Sequence, residues 1–326
     1  MCEVTVIIVN YNSGERLRRC LEALASQTFK NFETIIIDNA SEDGSRAAAE
    51  TSDDAVKLIR SETNLGFAAA NNLGARYARG RWLATLNPDA YPQPEWLENL
   101  LGATTRHPQA AALGSTQITD ADPQILDGAG DVFHVLGIPY RGHFGRNIEA
   151  LPPEGECFAP CAAAALYRRD VFDAVGGFDE RYFCYCEDVD IGFRIRLAGW
   201  SAIQVPTAKV AHEGSGVTGR YSDFTVYHGN RNRIWTSYKN IPGALYWALF
   251  PVQLAANTYF LVRAAMNGMG RPYWRALVDG YKALPSFGAA RRQIQKGRKI
   301  SMIDAARAMT WSPLKLMQRA ADIRPR

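Results

Sequence analysis

The chain opens on Val4-Thr5-Val6-Ile7-Ile8-Val9, a short apolar run rich in β-branched residues, closed by Asn10-Tyr11-Asn12-Ser13-Gly14. Such a run, bounded by turn formers, reads as a buried strand and then a loop. Leu17, Leu21 and Leu24 recur at helical spacing, which predicts a helix over about 14–26. The alternation continues. Residues 32–37 predict a second strand, ending in Asp38-Asn39-Ala40-Ser41, and 56–59 a third. An alanine-rich stretch over 67–79 predicts a helix, and 82–86 a fourth strand ending in Asn87-Pro88-Asp89. Residues 96–105 read as a helix and 111–117 as a strand.

Strands alternating with helices predict an α/β fold with a mostly parallel sheet covered on both faces. Ligands of such sheets bind at the carboxyl ends of the strands. Asn10-Tyr11-Asn12, Asp38-Asn39, Asn64 and Asn87-Pro88-Asp89 all fall just after predicted strands. They would line one edge of the sheet, where a nucleotide site belongs. Gly and Pro are scattered through 118–160, which reads as a looped or β-rich segment able to hold an acceptor. From Ile241 the texture changes. Residues 244–262 are apolar but interrupted by Pro251, Gln253 and Asn257, and Arg263 follows directly. A spanning helix wants ~20 predominantly apolar residues. Aromatic and apolar residues beside a basic tail fit better a helix lying in the membrane interface. The expected organisation is a domain over 1–240 and a helical, basic, membrane-surface region over 241–326. Within the first, 1–117 forms the nucleotide half and 118–240 the acceptor and catalytic half.

Composition adds little, since 47% hydrophobic and 21% charged residues in 326 are ordinary for a globular chain. Charge placement adds more. From Arg271 to Arg326 thirteen Lys and Arg stand against Asp279, Asp304 and Asp322, so the tail is +10 and the rest −6 within a total of +4. That asymmetry points to an anionic surface, either lipid headgroups or nucleic acid. A solvated helical face is the plainer alternative. No nucleic-acid reader motif accompanies the basic residues, so no nucleic-acid partner is expected. No secretory pattern precedes the first strand, which sets the expectation of a cytoplasmic, reducing location. Cys2, Cys20, Cys157, Cys161, Cys184 and Cys186 are then expected as free thiols. Cys-x3-Cys followed by Cys-x-Cys is not a usual structural zinc spacing.

Three places could carry chemistry. Asp89, in the loop after a strand, could hold Mg²⁺ or Mn²⁺ against a diphosphate, because hard cations take oxygen ligands. Asn-Pro-Asp is equally a good turn sequence. Glu187, Asp188 and Asp190 put three carboxylates in four positions. They could simply occupy the first turn of a helix, where its dipole favours them. Alternatively, crowding raises one of them into the range of a general base. His212, in His212-Glu213-Gly214-Ser215-Gly216, follows a strand-like run and could reach the same edge as Asp89. A lone histidine is more often a hydrogen-bonded structural residue, although imidazole is a common ligand for divalent metals.

Taken in order, these pieces resemble the family 2 glycosyltransferases with the GT-A fold, in their rhamnosyltransferase-like branch. The carrying residues are VIIVNYNSGERLRRCLEAL at 6–24, IIIDNAS at 35–41, NLGFAAANNLGAR at 64–76, LNPDA at 86–90, GGFDERYFCYCEDVDIGFRIRLAGW at 176–200, HEGSG at 212–216 and YHGNRNR at 227–233. They cover about residues 4–235.

The resemblance implies roles by position. Asn10 and Tyr11 would sit against the nucleobase, and Asp38 would contact base or ribose. Asn64, Gly66 and Phe67 would close over the nucleotide, with Asn71 nearby. Asp89 matches the last residue of the family's DxD metal motif, whose first position is here Asn87 rather than Asp. His212 would complete the metal shell, Asp188 would be the catalytic base, and Arg231 would reach the leaving diphosphate. Backbone amides after the strands would add to the stabilisation of that charge.

The implied reaction is one in-line displacement with inversion, aided by Mg²⁺ or Mn²⁺. The donor implied is a nucleotide-sugar, first dTDP-L-rhamnose, with UDP-hexoses, UDP-galactofuranose and GDP-mannose as alternatives. The acceptor is a polyprenyl-diphosphate-linked sugar or a growing surface polysaccharide, met at the inner face of the cell membrane by a peripheral enzyme. A non-catalytic sugar-nucleotide-binding subunit is a second reading, opposed by the presence of Asp89, Asp188 and His212 together. A nucleotidyltransferase would need a Gly-rich, basic loop where this chain has Asn-Tyr-Asn-Ser-Gly. A homodimer stays open, since apolar residues over 241–270 could pack a second copy as readily as touch lipid.

Overall fold

The computed structural model describes residues 2–50, 56–214 and 221–325. Ser215 and Gly216, the end of the quoted His212 run, lie outside the described residues, as does Arg326. The first elements are β1 (Val4–Asn10), α1 (Arg16–Ala25), β2 (Phe32–Asn39), α2 (Ala47–Glu50), β3 (Val56–Ser61), α3 (Gly66–Tyr77), β4 (Trp82–Leu86), β5 (Ala90–Pro92) and α4 (Trp96–Arg106). Then come β6 (Ala110–Thr119), β7 (Leu126–Ala129), β8 (Asp131–His134), β9 (Ile138–Arg141), β10 (Gly155–Cys157), β11 (Ala164–Arg168), α5 (Arg169–Ala174), α6 (Glu187–Leu197) and β12 (Ser201–His212). Six helices finish the chain: α7 (Asp223–Asn240), α8 (Gly243–Met266), α9 (Gly270–Lys282), α10 (Gly288–Lys296), α11 (Met302–Ala308) and α12 (Pro313–Gln318).

The sheet has ten strands, in the order β10-β12-β6-β11-β4-β1-β2-β3, with β5 added on β12 and β7 on β6. β1, β2, β3, β4, β6 and β12 share one direction, and β11 is wedged antiparallel between β4 and β6. β8 and β9 form a separate hairpin. The expected α/β architecture, a mostly parallel sheet flanked by helices, is the one observed.

Why β1 is apolar at nearly every position is plain from its two faces. Val4, Val6 and Ile8 share a core with Leu17, Cys20 and Leu24 of α1 and with Trp96 and Leu100 of α4. Ile7 points the other way, toward Ala68, Ala70 and Ala75 of α3 and Ile191 and Ile195 of α6. A period of two, with both faces covered, favours apolar residues until the strand ends; Thr5 is buried there because its hydroxyl donates to Glu33 and accepts from the Gly80 amide. The alanine-rich texture of α3 has its own cause: a Cβ on Gly74 would lie 2.5 Å from Ile7 Cγ2, so only small residues let the helix approach the sheet.

Two details depart from the pattern-based reading. β1 runs through Asn10, which pairs in register with Asp38 rather than opening the loop. The segment 118–160 is built of β7, β8, β9 and β10, strands of three or four residues that carry too short a period to read from sequence.

Helix α7 backs α6 and holds its charges. Asp190 is fully buried; Lys239 Nζ lies 2.8 Å from it and 2.7 Å from Asp179. Arg194 Nε donates to Asp190 at 2.9 Å, and Asn240 Nδ2 at 2.8 Å. Burial alone would push the Asp190 carboxyl up, but Arg194 and Lys239 hold it below the ordinary carboxylate value. Removing one partner of a buried ion network leaves the others uncompensated, at a cost of ~3–5 kcal/mol. Asp190→Ala is therefore expected to lower the unfolding free energy by about that amount, measured by urea denaturation. A loss under ~1 kcal/mol would mean that water reaches Lys239.

Candidate active site

Two adjoining chambers open at the carboxyl edge of the parallel strands. The first, of about 580 Å³, is lined by Tyr11, Asn64, Gly66, Asn87, Asp89 and His212. The second, of about 470 Å³, holds Asp131, Cys161, Glu187, Asp188 and Arg233. Phe67, Asn87, Arg141, Cys184 and Tyr185 line both, so the chambers share a wall.

Asp89 and His212, far apart in sequence, meet because β12 pairs with β5 in a register that sets His212 against Ala90. Asp89 Oδ1 is 3.4 Å from His212 Nε2, an ion-pair separation rather than a hydrogen bond. His212 Nδ1 is 2.7 Å from Asp127 Oδ2. That carboxylate makes Nδ1 the protonated nitrogen and turns the Nε2 lone pair toward Asp89. Nε2 is buried without a hydrogen-bond partner. An anchored Nδ1, a bare Nε2 and a carboxylate oxygen beside it form a donor set that fits a divalent cation. Glu213, next in the chain, is gripped by Arg16 at 2.5 Å and Arg19 at 3.1 Å, which fixes the strand end.

Asp188 is placed by a strained loop. Phe183, Tyr185 and Cys186 have φ of 65°, 72° and 65°, which non-glycine residues seldom adopt. Asn232 of α7 holds them there. Its Nδ2 donates to the carbonyls of Tyr182, Cys184 and Tyr185 at 3.0, 2.8 and 2.7 Å. The acids then occupy the first turn of α6, as one of the two sequence readings required. Asp188 accepts from the Ala162 amide at 3.2 Å and the Val189 amide at 2.8 Å. Burial raises its carboxyl above the ordinary value, and those amides pull it part of the way back. Glu187 and Asp131 are raised well above theirs, first by burial and then by the Asp188 charge. Among these crowded acids Asp188 is the one best held as a carboxylate. Asp131, Cys161 and Asp188 bring ligand-type atoms within 4.8 Å of one another. Burial pushes the Cys161 thiol up to about 12, so without a cation beside it Cys161 is a neutral thiol.

Gly66 earns its place through packing. Its φ is +78°, and a Cβ there would lie 2.5 Å from Phe183 Cδ2, so glycine lets α3 press on the loop before α6. The amides of Leu65, Gly66 and Ala68 are bonded to Asn39, Asn64 and Phe183. These three amides are thus committed within the protein and are not among those that could stabilise ligand charge.

Not every sequence-derived candidate reaches the chamber walls. Tyr11, Asn64, Gly66, Phe67, Asn87, Asp89, Asp188 and His212 do. Asn10 and Asp38 are buried, and Asn10 Nδ2 donates to Asp38 at 3.0 Å and Ser45 at 2.9 Å and so braces two strand ends. Asn71 is buried in α3 and donates to the Phe67 carbonyl at 2.9 Å. Arg231 stacks on the Trp235 ring and bonds the Tyr182 carbonyl, while Arg16, Arg141 and Arg233 line the chambers. Asp127, Asp131 and Arg141 escaped the sequence reading. They sit in the segment assigned to the acceptor, but no spacing marks them. Asn232 and Arg233 lay inside the quoted YHGNRNR run without a role.

Residues 5–176 match the family described as Glycosyl transferase family 2. An N-acetylglucosaminyl-diphospho-decaprenol L-rhamnosyltransferase from Mycobacterium tuberculosis is 34% identical over 308 residues, spanning 84% of this chain and 97% of that protein. The chain belongs to glycosyl transferase family 2. Solved structures agree on the fold of this glycosyltransferase. A mannosyltransferase from Pyrobaculum calidifontis, in complex with GDP-Man and Mn²⁺, aligns with a TM-score of 0.55 and 21% identity over 93% of this chain and 86% of that one. S. aureus TarS 1–349 aligns with a TM-score of 0.56 and 18% identity over 90% and 88%. The fold is GT-A, as the resemblance implied.

The pairing of His212 makes a prediction for the metal-free enzyme. Burial lowers its proton affinity, but Asp127 and then Asp89 outweigh burial and raise its pKa above 6.5. A raised folded pKa contributes stability that is fully present below 6.5 and fades as pH rises through the folded value. Asp127→Asn is expected to shift the His212 titration midpoint downward in imidazole NMR recorded with chelator. An unchanged midpoint would show that Asp127 does not control the ring.

Proposed function

We propose that this glycosyltransferase moves L-rhamnose from dTDP-L-rhamnose to a sugar carried on a polyprenyl diphosphate, with inversion, at the inner face of the cell membrane. The observation that carries the reaction type is the shared chamber wall. It sets the Asp188 carboxylate on one side and the Asp89–His212 pair on the other. Donor and acceptor rest on the mycobacterial relative, which is named for both rhamnosyl transfer and a decaprenol-linked acceptor and is matched over nearly its whole length.

In this reading Tyr11 and Asn64 receive the nucleotide, and Phe67 covers it. The acceptor sugar enters the second chamber and sets a hydroxyl against Asp188. Asp188 takes the hydroxyl proton as the oxygen bonds to the anomeric carbon. The bond from that carbon to the diphosphate breaks on the opposite face, and its electron pair leaves with the diphosphate. Arg141, on the wall between the chambers, offers a fixed positive charge near the developing one. Asp89 and His212 would hold Mg²⁺ or Mn²⁺, which when bound neutralises the leaving diphosphate.

Asp188→Asn is expected to reduce turnover by ~10²–10⁴-fold while leaving nucleotide affinity nearly intact, measured by calorimetry. Affinity lost along with turnover would reassign Asp188 to binding. EDTA is expected to stop transfer, and Mn²⁺ or Mg²⁺ to restore it. Full activity in chelator would remove the metal role.

The donor is tested by thermal shift against sugar nucleotides with Mn²⁺. dTDP-L-rhamnose at 100 times its dissociation constant should add ~2.7 kcal/mol. A shift with a UDP-hexose, UDP-galactofuranose or GDP-mannose instead would reassign the donor.

A further inference from the structure

Helix α8 is inside-out. Its buried stripe is Tyr246, Leu249, Gln253 and Asn257, at helical spacing along one side. Two of those four are amides, and both are used. Gln253 Nε2 donates to the Val135 carbonyl at 2.9 Å; Asn257 Nδ2 donates to Tyr281 at 2.8 Å and its Oδ1 accepts from Arg233. The outward side is the apolar one. Trp247, Val252, Leu254, Tyr259, Val262 and Met266 are all exposed. Gly243 to Val262 contains no Asp, Glu, Lys, Arg or His. Single exposed apolar residues are normal, but a continuous charge-free face more apolar than the side it buries is not how a water-facing helix is built. Polar groups turned inward and apolar groups outward is the arrangement of a helix whose outer solvent is lipid.

Charge says which lipid. The run from Ile241 to Lys282 carries Arg263, Arg271, Arg275 and Lys282 against Asp279 alone. All four cations are exposed, while the Asp279 carboxylate accepts from the Tyr227 hydroxyl. Trp274, also exposed, adds an aromatic of the kind that sits at headgroup level. The same pair of helices supplies Phe260 and Tyr273 to the wall of the Asp188 chamber.

We infer that the outward face of α8, with the exposed cations of α9, lies flat in an anionic membrane surface and presents the acceptor chamber to it. By length and composition α8 could cross a bilayer. It lies on the surface because its buried stripe binds the protein body along its length, and spanning would strip Gln253 and Asn257 of their partners in hydrocarbon. The inference rests on the lipid-linked acceptor proposed above and specifies how the enzyme meets it.

The test uses the full chain and sedimenting vesicles of phosphatidylcholine, with and without phosphatidylglycerol. The wild type is expected to sediment with the anionic vesicles and much less with phosphatidylcholine alone. Val252→Glu with Tyr259→Glu, at positions 46% and 57% exposed, should leave the thermal melt unchanged and keep the protein in the supernatant. Independently of any folding defect, acyl-brominated lipid should quench wild-type fluorescence by a component that Trp247→Phe removes. Sedimentation unaffected by the double substitution would overturn the inference. So would a wild type that ignores vesicles but forms a dimer that the double substitution breaks, since the face would then belong to a second copy. Transfer to a short-prenyl, water-soluble acceptor is expected to survive the double substitution. If the wild type transfers to that acceptor but does not bind anionic vesicles, the face is wrong and the reaction stands; if the wild type fails to transfer at all, the proposed function falls instead.

Discussion

Asp190 is wholly buried, and the arrangement of the chamber edge depends on what it takes to keep a carboxylate there. Lys239, Arg194 and Asn240 surround it, and two of the three come from α7. The buried charge therefore locks α6 to α7. About two turns earlier in the same α7, Asn232 clamps the carbonyls of the loop that delivers the start of α6. On its other side α6 comes so close to the chain that a Cβ on Gly192 would lie 2.4 Å from Ala159 Cβ. That approach brings the Ala162 amide to Asp188. The charge cluster is thus less a source of net stability than of register: it decides which way the first turn of α6 faces.

The acids of this edge are chemically alike and differ through their surroundings. Asp190 is neutralised by cations and held below the ordinary value. Asp188 faces the chamber and is held by amides. For Glu187 a single backbone amide, and for Asp131 the Arg141 charge, do not offset burial, and both are raised well above their ordinary values. Asp89 is pushed up by burial but brought below its ordinary value by His212. Separation of this kind keeps carboxylates of different proton affinity side by side at one edge.

The C-terminal helices are part of the same logic. Tyr246 and Leu249 of α8, Ala305 of α11 and Met309 just after it share a core with Phe133, Phe158 and Phe193. The tail returns to the sheet, where Arg324 bridges Glu156. The apolar stretch of α8 is consequently fastened along the body beside the second chamber, and its polar residues face inward to do the fastening.

Much of this was legible in the chain. β1, β2, β3, β4 and β6 announced themselves as short apolar runs, and the polar residues that follow several of them marked the edge where the chambers open; β11, wedged antiparallel between β4 and β6, and most of β12 did not. Asp89, Asp188 and His212 stood out because each follows or opens an element at that edge. The short strands that carry Asp127, Asp131 and Arg141 left no such trace, because three or four residues cannot establish a period. Whether a polar residue at the edge faces ligand or braces the backbone was also decided only in three dimensions: Asn10, Asp38 and Asn71 turned to neighbouring groups, and Arg231 to Trp235. For α8 the composition showed an apolar helix interrupted by Gln253 and Asn257. Only the tertiary structure decided that these amides point inward, because which side of a helix is its inside is fixed by what packs against it, not by its own residues.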